Sequence, residues 1–148
     1  MGVKRIIKFK DIKVSTGNMT ADVSMKELSA RFNKAQYELD SAIMTSMEPF
    51  MPRRDGTFIN VTKAQSAALA GTGKVVAAAP PYGRFLYEGK VMVGEKSRSP
   101  WAKKGERKVV TGRDLTYSGG GQAHWFDAAK AADGDAWVKL VKKTAGGG

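Results

Sequence analysis

The stretch SMKELSARFNKAQYELDSAIMTSME, residues 24–48, decides the fold. Its apolar residues recur at steps of three and four, which places them on one face of an amphipathic helix of about seven turns. This apolar stripe comprises Leu28, Phe32, Ala35, Leu39, Ile43, Met47 and, just past the stretch, Phe50. Ser24 and Glu27 have the spacing of a capping box, which predicts the start of the helix. Pro49 and Pro52 predict its end, because proline lacks the amide that a helix requires.

The segments on either side of this helix predict strands. Residues 3–14 alternate apolar residues with lysines, which favours a strand with a kink near Asp11. After the helix, an Asp-Gly pair in residues 53–57 predicts a turn. Residues 64–70 and 74–79 are then predicted to form a hairpin joined by a glycine-rich loop of three residues.

The second half of the chain predicts one short helix and one long one. Pro80-Pro81 ends the second strand, and residues 82–89 have helical spacing. A second amphipathic helix is predicted over residues 124–143, with Gly134 as a candidate break. Residues 144–148 are expected to form a loose, flexible tail.

Residues 90–123 show no sustained periodicity and are rich in glycine, which predicts a long extended loop or arm. The expected fold is therefore α+β, a single domain over residues 1–148. In it, the long helix of the N-terminal half and the C-terminal helix pack on a small antiparallel sheet.

Charge and composition narrow the classes of function. The 148 residues carry a net charge of +11, and such a field attracts nucleic acid, an anionic membrane or an acidic protein surface. There is no cysteine, which excludes disulfides, thiolate zinc sites and thiol nucleophiles. No apolar run is long enough to span a membrane, and the charged N-terminus lacks the apolar segment of a signal peptide.

The sequence shows no set of side chains with the spacing of a known catalytic or metal-binding motif. His124 is the single histidine, and it is interpreted as a helix N-terminal residue beside Trp125. Asp133 and Asp135 flank Gly134 but are interpreted as part of a solvated turn. Residues 71–74, Gly-Thr-Gly-Lys, lack the upstream glycine and the following Ser or Thr of a phosphate loop, so a hairpin turn accounts for them better. We therefore predict no enzyme, no cofactor and no metal.

The segment from Arg84 to Arg113 concentrates basic residues around Trp101. It could be a nucleic-acid arm, in which lysine and arginine neutralise phosphates and the indole stacks on a base. It could be an assembly arm that is ordered by a neighbouring subunit. It could also be a solvated basic loop. The tryptophan favours the assembly arm, because a large apolar ring in a polar segment requires burial somewhere.

Residues 81–89, Pro-Tyr-Gly-Arg-Phe-Leu-Tyr-Glu-Gly, resemble the Pro-Tyr-Ala-Arg-aromatic-Leu-aromatic-aromatic-Gly motif of phage minor capsid proteins. The departures are Gly83 in place of alanine and Glu88 in place of an aromatic residue. Other segments resemble that family in the same order, over about residues 45 to 140. They are residues 49–57 (PFMPRRDGT), 90–93 (KVMV), 99–106 (SPWAKKGE), 111–117 (TGRDLTY) and the late aromatic residues Trp125, Phe126 and Trp137.

The resemblance implies a non-enzymatic virion protein of a tailed bacteriophage, a head–tail connector or tail-completion subunit that forms a ring at the neck, with a hexamer favoured. It implies contacts with other neck proteins (connector or stopper, tail terminator or tube) and with genomic DNA in the channel, after assembly in the host cytoplasm. Residues expected at subunit contacts are Tyr82, Arg84, Tyr87, Trp101, Lys103, Lys104, Arg107, Arg113 and Tyr117. Residues expected to face the DNA channel or an acidic partner are Lys96, Arg98 and Lys108. The alternative is a small basic nucleic-acid-binding protein that uses residues 90–113.

Overall fold

The computed structural model describes the backbone of residues 7–146, and their side chains apart from those of residues 21–23. Its strands are β1 (Ile12–Thr16), β2 (Met19–Val23), β3 (Lys90–Gly94) and β4 (Lys108–Asp114). Its α-helices are α1 (Lys26–Met47), α2 (Thr57–Leu69), α3 (Gly83–Glu88) and α4 (Trp125–Gly146), and a 3-10 turn follows α1 at Glu48–Phe50. The strands form two separate antiparallel pairs, β1 with β2 and β3 with β4. The predicted α+β class is confirmed.

The core lies where the two long helices, α1 and α4, pack against each other. Trp125 at the start of α4 is fully buried against Met47 and Met51, and its indole Nε1 donates to the carbonyl oxygen of Ala77 at 2.8 Å. Farther along α4, the indole of Trp137 donates to Ser46 Oγ at 3.1 Å. These two buried donors are both satisfied, so the tryptophans add apolar burial without leaving a polar group unpaired.

The predicted hairpin over residues 64–79 is wrong. Residues 57–69 form helix α2, whose buried residues Ile59, Thr62 and Ser66 recur at helical spacing. The return segment 74–79 is not in a strand; it runs back along α2, where the amide of Ala79 donates to Thr62 Oγ1 at 3.3 Å. The hydroxyls of Thr62 and Ser66 accept from the amides of Ala79 and Val76, so the return segment pairs with side chains of α2 and not with a second strand.

The loop after α2, residues 71–73, binds the buried carboxylate of Asp40 through its backbone amides. Asp40 is buried on α1, and its Oδ2 accepts hydrogen bonds from the amides of Gly71 at 2.8 Å and Gly73 at 3.0 Å. Gln36 Nε2 donates to Asp40 Oδ1 at 2.8 Å. The loop is thus neither a hairpin turn nor a phosphate loop. Its amides are directed at an anion, and that anion is Asp40.

The N-terminal segment is only partly a strand. Residues 3–6 lie outside the described residues, residues 7–11 lie along α1, and the strand begins at Ile12. The amide of Ile7 donates to Asn33 Oδ1 at 2.9 Å, and the amide of Phe9 donates to Ser29 Oγ at 2.9 Å. The segment therefore pairs with side chains of α1 in place of another strand.

The predicted capping box at the start of α1 is wrong. The amide of Met25 donates to Asp11 Oδ1 at 2.8 Å, and Ser24 Oγ accepts only a long hydrogen bond from the amide of Lys26 at 3.4 Å. Residues 7–11 therefore supply the carboxylate that binds the amide of the N-cap residue Met25, and Met25 itself makes no side-chain capping hydrogen bond.

Strands β1 and β2 form a hairpin, here named the N-terminal hairpin, that packs chiefly on itself. Gly17 has a φ of 57° at the first central position of its two-residue turn, as a type II′ turn requires.

At the other end of the chain, α4 continues without a break through Gly134 to Gly146. The loose tail predicted for residues 144–146 is wrong, because Ala145 is buried and Thr144 Oγ1 donates to Glu38 Oε2 at 2.6 Å. Residues 147 and 148 lie outside the described residues.

Candidate interaction surface: the basic hairpin

Residues 90–114, here named the basic hairpin, form an ordered two-stranded ribbon where the sequence predicts an extended loop. The ribbon leaves the body at Gly89, which ends α3 with a φ of 72°. An added Cβ at Gly89 would lie 2.7 Å from the Cβ of Ala123, so a side chain does not fit there. The amide of Leu115 donates to the carbonyl oxygen of Gly89 at 2.8 Å and closes the base of the ribbon.

Cross-strand pairing accounts for this order. Lys90 pairs with Asp114 at the base, where their side chains form an ion pair, and Gly94 pairs with Lys108 at the far end. A register shift lies between Lys90 and Met92, and Thr111 Oγ1 donates to the carbonyl oxygen of Val91 at 2.7 Å. Such pairs join residues about 20 positions apart, so no local window of sequence displays them.

The loop between the two strands is organised by one carboxylate, that of Glu106. Glu106 Oε1 accepts from the amides of Lys96 at 2.9 Å and Ser97 at 2.5 Å, and Oε2 accepts from Ser97 Oγ and the amide of Lys103, both at 2.9 Å. Hydrogen bonds from the amides of Ser97 and Lys103 hold the pKa of Glu106 down, at about 2. The carboxylate is therefore ionised at neutral pH and fixes the loop in one shape.

Gly94 makes room for this carboxylate. A Cβ at position 94 would lie 2.4 Å from Ser97 Oγ and 2.5 Å from Glu106 Oε1. Both distances are too short for non-bonded atoms, so a side chain at position 94 would displace the Ser97 hydroxyl and the Glu106 carboxylate.

The ordered loop presents an exposed tryptophan. The side chain of Trp101 is 88% exposed, the largest exposure among the big apolar residues of the described chain. The amide of Trp101 donates to Ser99 Oγ at 3.1 Å, so the backbone beneath the indole is held in place. Six exposed basic residues surround it in the loop and at its edges, and they are Lys96, Arg98, Lys103, Lys104, Arg107 and Lys108.

Two open clefts on the basic hairpin bring several of the predicted site residues together. One cleft, of about 570 Å³, is lined by Lys96, Lys103, Lys104 and Arg107 together with Glu106. The other, of about 650 Å³, brings Arg84 from α3 beside Lys90, Arg107 and Lys108. Arg107 lines both clefts, and basic residues outnumber the carboxylates in each, which are Glu95 and Glu106 in the first and Glu88 in the second.

The other predicted contact residues are divided between surface and interior. Tyr82 is 65% exposed before α3, Arg113 is exposed on β4, and the exposed guanidinium of Arg84 lies 4.5 Å from the ring centroid of Phe85. Tyr87 packs edge-to-face on Trp125, with ring centroids 4.7 Å apart, and Tyr117 donates its hydroxyl to the carbonyl oxygen of Leu86 at 2.5 Å.

The two tyrosines that pack inside the fold have raised pKa values. Burial is the main cause at Tyr87, where the negative charges of Asp127 and Glu88 add to it. Burial also raises the pKa of Tyr117, with a contribution from Asp114. Tyr87 packs on Trp125 in the body and Tyr117 joins the segment after β4 to α3, so only part of each side chain is left for a partner.

Sequence reasoning does not identify Glu106 as the organiser of the loop, because the amides that it binds lie up to ten residues away and come near it only when the hairpin closes. It also missed Val110, which is 62% exposed on β4 beside the basic residues. A signal for the strand was present, since residues 108–111, Lys-Val-Val-Thr, contain three β-branched residues in succession.

Within residues 7–146, no group of three or more His, Asp or Glu side chains is placed to hold a metal ion. His124 precedes α4 as predicted, and its amide donates to the carbonyl oxygen of Tyr87 at 2.9 Å. None of the helices described is both long and apolar enough to cross a membrane. Comparison of the chain with protein-family models, with curated proteins and with solved structures finds no match.

Proposed function

We propose that this chain is a non-catalytic structural subunit of the neck of a tailed bacteriophage, which forms a ring and joins the head to the tail. The assignment to phage rests on the ordered series of motifs that resemble phage minor capsid proteins. The observation that carries the assembly role is Trp101, which an ordered basic hairpin holds out into solvent.

An exposed tryptophan on a fixed backbone is suited to a protein interface. Tryptophan is among the residues enriched at the energetic centres of interfaces, where it is buried by the partner. Because Glu106 already orders the loop, docking costs little further conformational entropy. The surrounding lysines and arginines would steer the hairpin toward an acidic neighbour.

Replacing Trp101 in the phage tests this role. We expect Trp101→Ala to leave separate heads and tails, counted by electron microscopy, and to lower the infectious titre by at least tenfold. Val138→Ala is the matched control, because Val138 is a half-exposed apolar residue on α4, away from the basic hairpin. Normal joining by the Trp101 variant, or purified virions that lack this chain, would contradict the proposal.

A second candidate function, nucleic-acid binding, is favoured by the cleft in which Arg84, Lys90, Arg107 and Lys108 converge. Four phosphate contacts predict that affinity for duplex DNA falls about two orders of magnitude between about 50 mM and about 200 mM salt. Neutral substitutions at Lys103, Lys104, Arg107 and Lys108 should weaken binding, and those at Arg107 and Lys108, which line this cleft, should also lower its salt dependence. Absence of binding at about 50 mM salt would reject this candidate.

A further inference from the structure

The N-terminal hairpin has an apolar face that the described chain leaves uncovered. The pairing of Thr16 with Met19 places Met19 on the same face as Ile12 and Val14. Their side chains are 77%, 48% and 52% exposed, respectively. The opposite face is polar, and on it Ser15 Oγ lies 3.4 Å from Thr20 Oγ1. An isolated two-stranded ribbon is marginally stable in water, so an uncovered apolar face indicates that something packs on it.

A groove of matching character lies elsewhere on the chain. It has a volume of about 540 Å³ and runs between the start of α2 and the segment before α3. Its apolar lining is formed by Pro52, Phe58, Val61, Pro80, Pro81 and Leu86. Val61 is 42% exposed, and Tyr82 at the rim is 65% exposed, so the groove is open to a partner.

These two surfaces cannot meet within one molecule. The N-terminal hairpin joins α1 at its first residue, whereas the groove begins beyond the last residue of α1, after Met51. Helix α1 has 22 residues and is therefore about 33 Å long. Its packing on α4 keeps it rigid, so the two surfaces stay at opposite ends of the molecule.

The accessible surface area of the chain is also larger than that expected of a compact monomer of the same mass. The folded chain exposes 10355 Å², whereas a compact monomer of 16.0 kDa is expected to expose about 7,400 Å². A subunit that contributes to two standard interfaces covers about 800 Å² in each. The excess of about 3,000 Å² is larger than the area that both interfaces together would cover.

We propose that the N-terminal hairpin of one copy docks its Ile12, Val14 and Met19 face into the groove beside Val61 of a second copy, in a head-to-tail contact. Such a contact joins different surfaces of identical chains, so repetition generates a closed ring when the rotation between neighbours closes. The inference rests on the proposed function in that a neck ring requires such a contact. The inference specifies which two surfaces of the subunit form this contact.

Cysteine cross-linking tests the contact directly, since the chain has no cysteine of its own. Purified Val14→Cys and Val61→Cys proteins, carrying tags of different mass, are mixed and oxidised. We expect a disulfide-linked dimer of the two tags. Ser15→Cys, on the polar face of the same strand, is the matched control and should cross-link to Val61→Cys at least tenfold less. In the wild-type background, Met19→Asp should weaken self-association at least tenfold in sedimentation experiments while circular dichroism shows an unchanged fold.

Three outcomes would overturn the inference. Dimers formed mainly between two Val14→Cys chains would show that hairpins pair with each other. Preferential cross-linking of Trp101→Cys to Val61→Cys would show that the basic hairpin fills the groove. A wild-type protein that stays monomeric at high concentration, without cross-links, would exclude the contact. All of these measurements use purified protein, whereas head–tail joining is measured in the phage. The docking contact and the proposed function can therefore fail independently of each other.

Discussion

Two carboxylates, Asp40 and Glu106, each bind several backbone amides, and they do so in opposite surroundings. Asp40 is buried between α1 and the loop after α2, whereas Glu106 lies in an open loop of the basic hairpin. Charge-assisted hydrogen bonds to amides are about twice as strong as neutral ones, so one acidic residue can order a segment that has little apolar packing. Each carboxylate therefore determines the shape of one glycine-containing loop.

Removing the carboxylate of Asp40 should destabilise the whole protein. Asp40→Ala leaves the amides of Gly71 and Gly73 without their acceptor, and an unsatisfied buried donor costs about 1–3 kcal/mol. We expect the free energy of unfolding in urea to fall by about 2–3 kcal/mol. Ser41→Ala, at the exposed next position of α1, is the control and should change it by less than about 0.5 kcal/mol. Equal stability of the two variants would contradict this role of Asp40.

The loop of the basic hairpin should respond to acid only at very low pH. The pKa of Glu106 is lowered from 4.5 to about 2 in the folded protein, so its stabilisation is complete above pH 4.5 and is lost as pH falls toward 2. We expect the amide resonances of Ser97 and Lys103 to hold their folded positions from pH 7 to pH 4.5 and to shift with a midpoint near pH 2. Glu106→Gln should remove this titration. A midpoint near 4.5 would show that the amides do not bind the carboxylate.

At the scale of elements, the basic hairpin depends on a close approach that only glycine allows. Gly94→Ala places a methyl group 2.4 Å from Ser97 Oγ and 2.5 Å from Glu106, so the Ser97 hydroxyl and the Glu106 carboxylate must shift and their hydrogen bonds weaken. We expect faster amide exchange at Ser97 and Lys103 and a Glu106 pKa closer to its ordinary value. Gly112→Ala, on the opposite strand with no atom within 4 Å of the added carbon, should leave both quantities unchanged. If the two variants behave alike, a methyl group at position 94 does not disturb the Glu106 carboxylate, and the prediction is contradicted.

Elements with local causes could be predicted from the sequence, and those with distant causes could not. The stripe from Leu28 to Met47 and the two prolines after it predict α1, because a helix is specified by neighbours three and four residues apart. Helix α3 and the turn at residues 53–57 follow in the same way. In the turn, the amide of Thr57 donates to Asp55 Oδ1 at 2.9 Å, which lowers the pKa of Asp55.

The misassigned elements each depend on a partner far along the chain. Asp11, and not Glu27, supplies the carboxylate at the start of α1, and Asp40 accepts from the amide of Gly71 in the loop after α2. Strands β3 and β4 order one another across a gap of 13 residues. Of the candidate site, the basic residues and Trp101 were identified as a group, but Glu106 was not, because its role exists only once the hairpin has closed.

At the scale of the whole molecule, the three tryptophans divide between holding the fold together and contacting partners. Trp125 and Trp137 are buried between α1 and α4, where each indole donates a hydrogen bond within the protein. Trp101 is 88% exposed and does not belong to that core. The two buried tryptophans therefore stabilise the fold, whereas Trp101 contributes little to its stability.

A substitution of Trp125 should therefore lower the stability of the fold, whereas a substitution of Trp101 should affect assembly. Trp125→Ala removes a fully buried indole, which should cost about 3–5 kcal/mol in the free energy of unfolding measured in dilute protein. Trp101→Ala should change the same quantity by less than about 0.5 kcal/mol, because exposed positions contribute little to stability. Yet it is Trp101→Ala that should abolish head–tail joining while the protein remains folded. If Trp101→Ala lowered stability as much as Trp125→Ala, the basic hairpin would be part of the core, and its tryptophan would be no evidence for a partner.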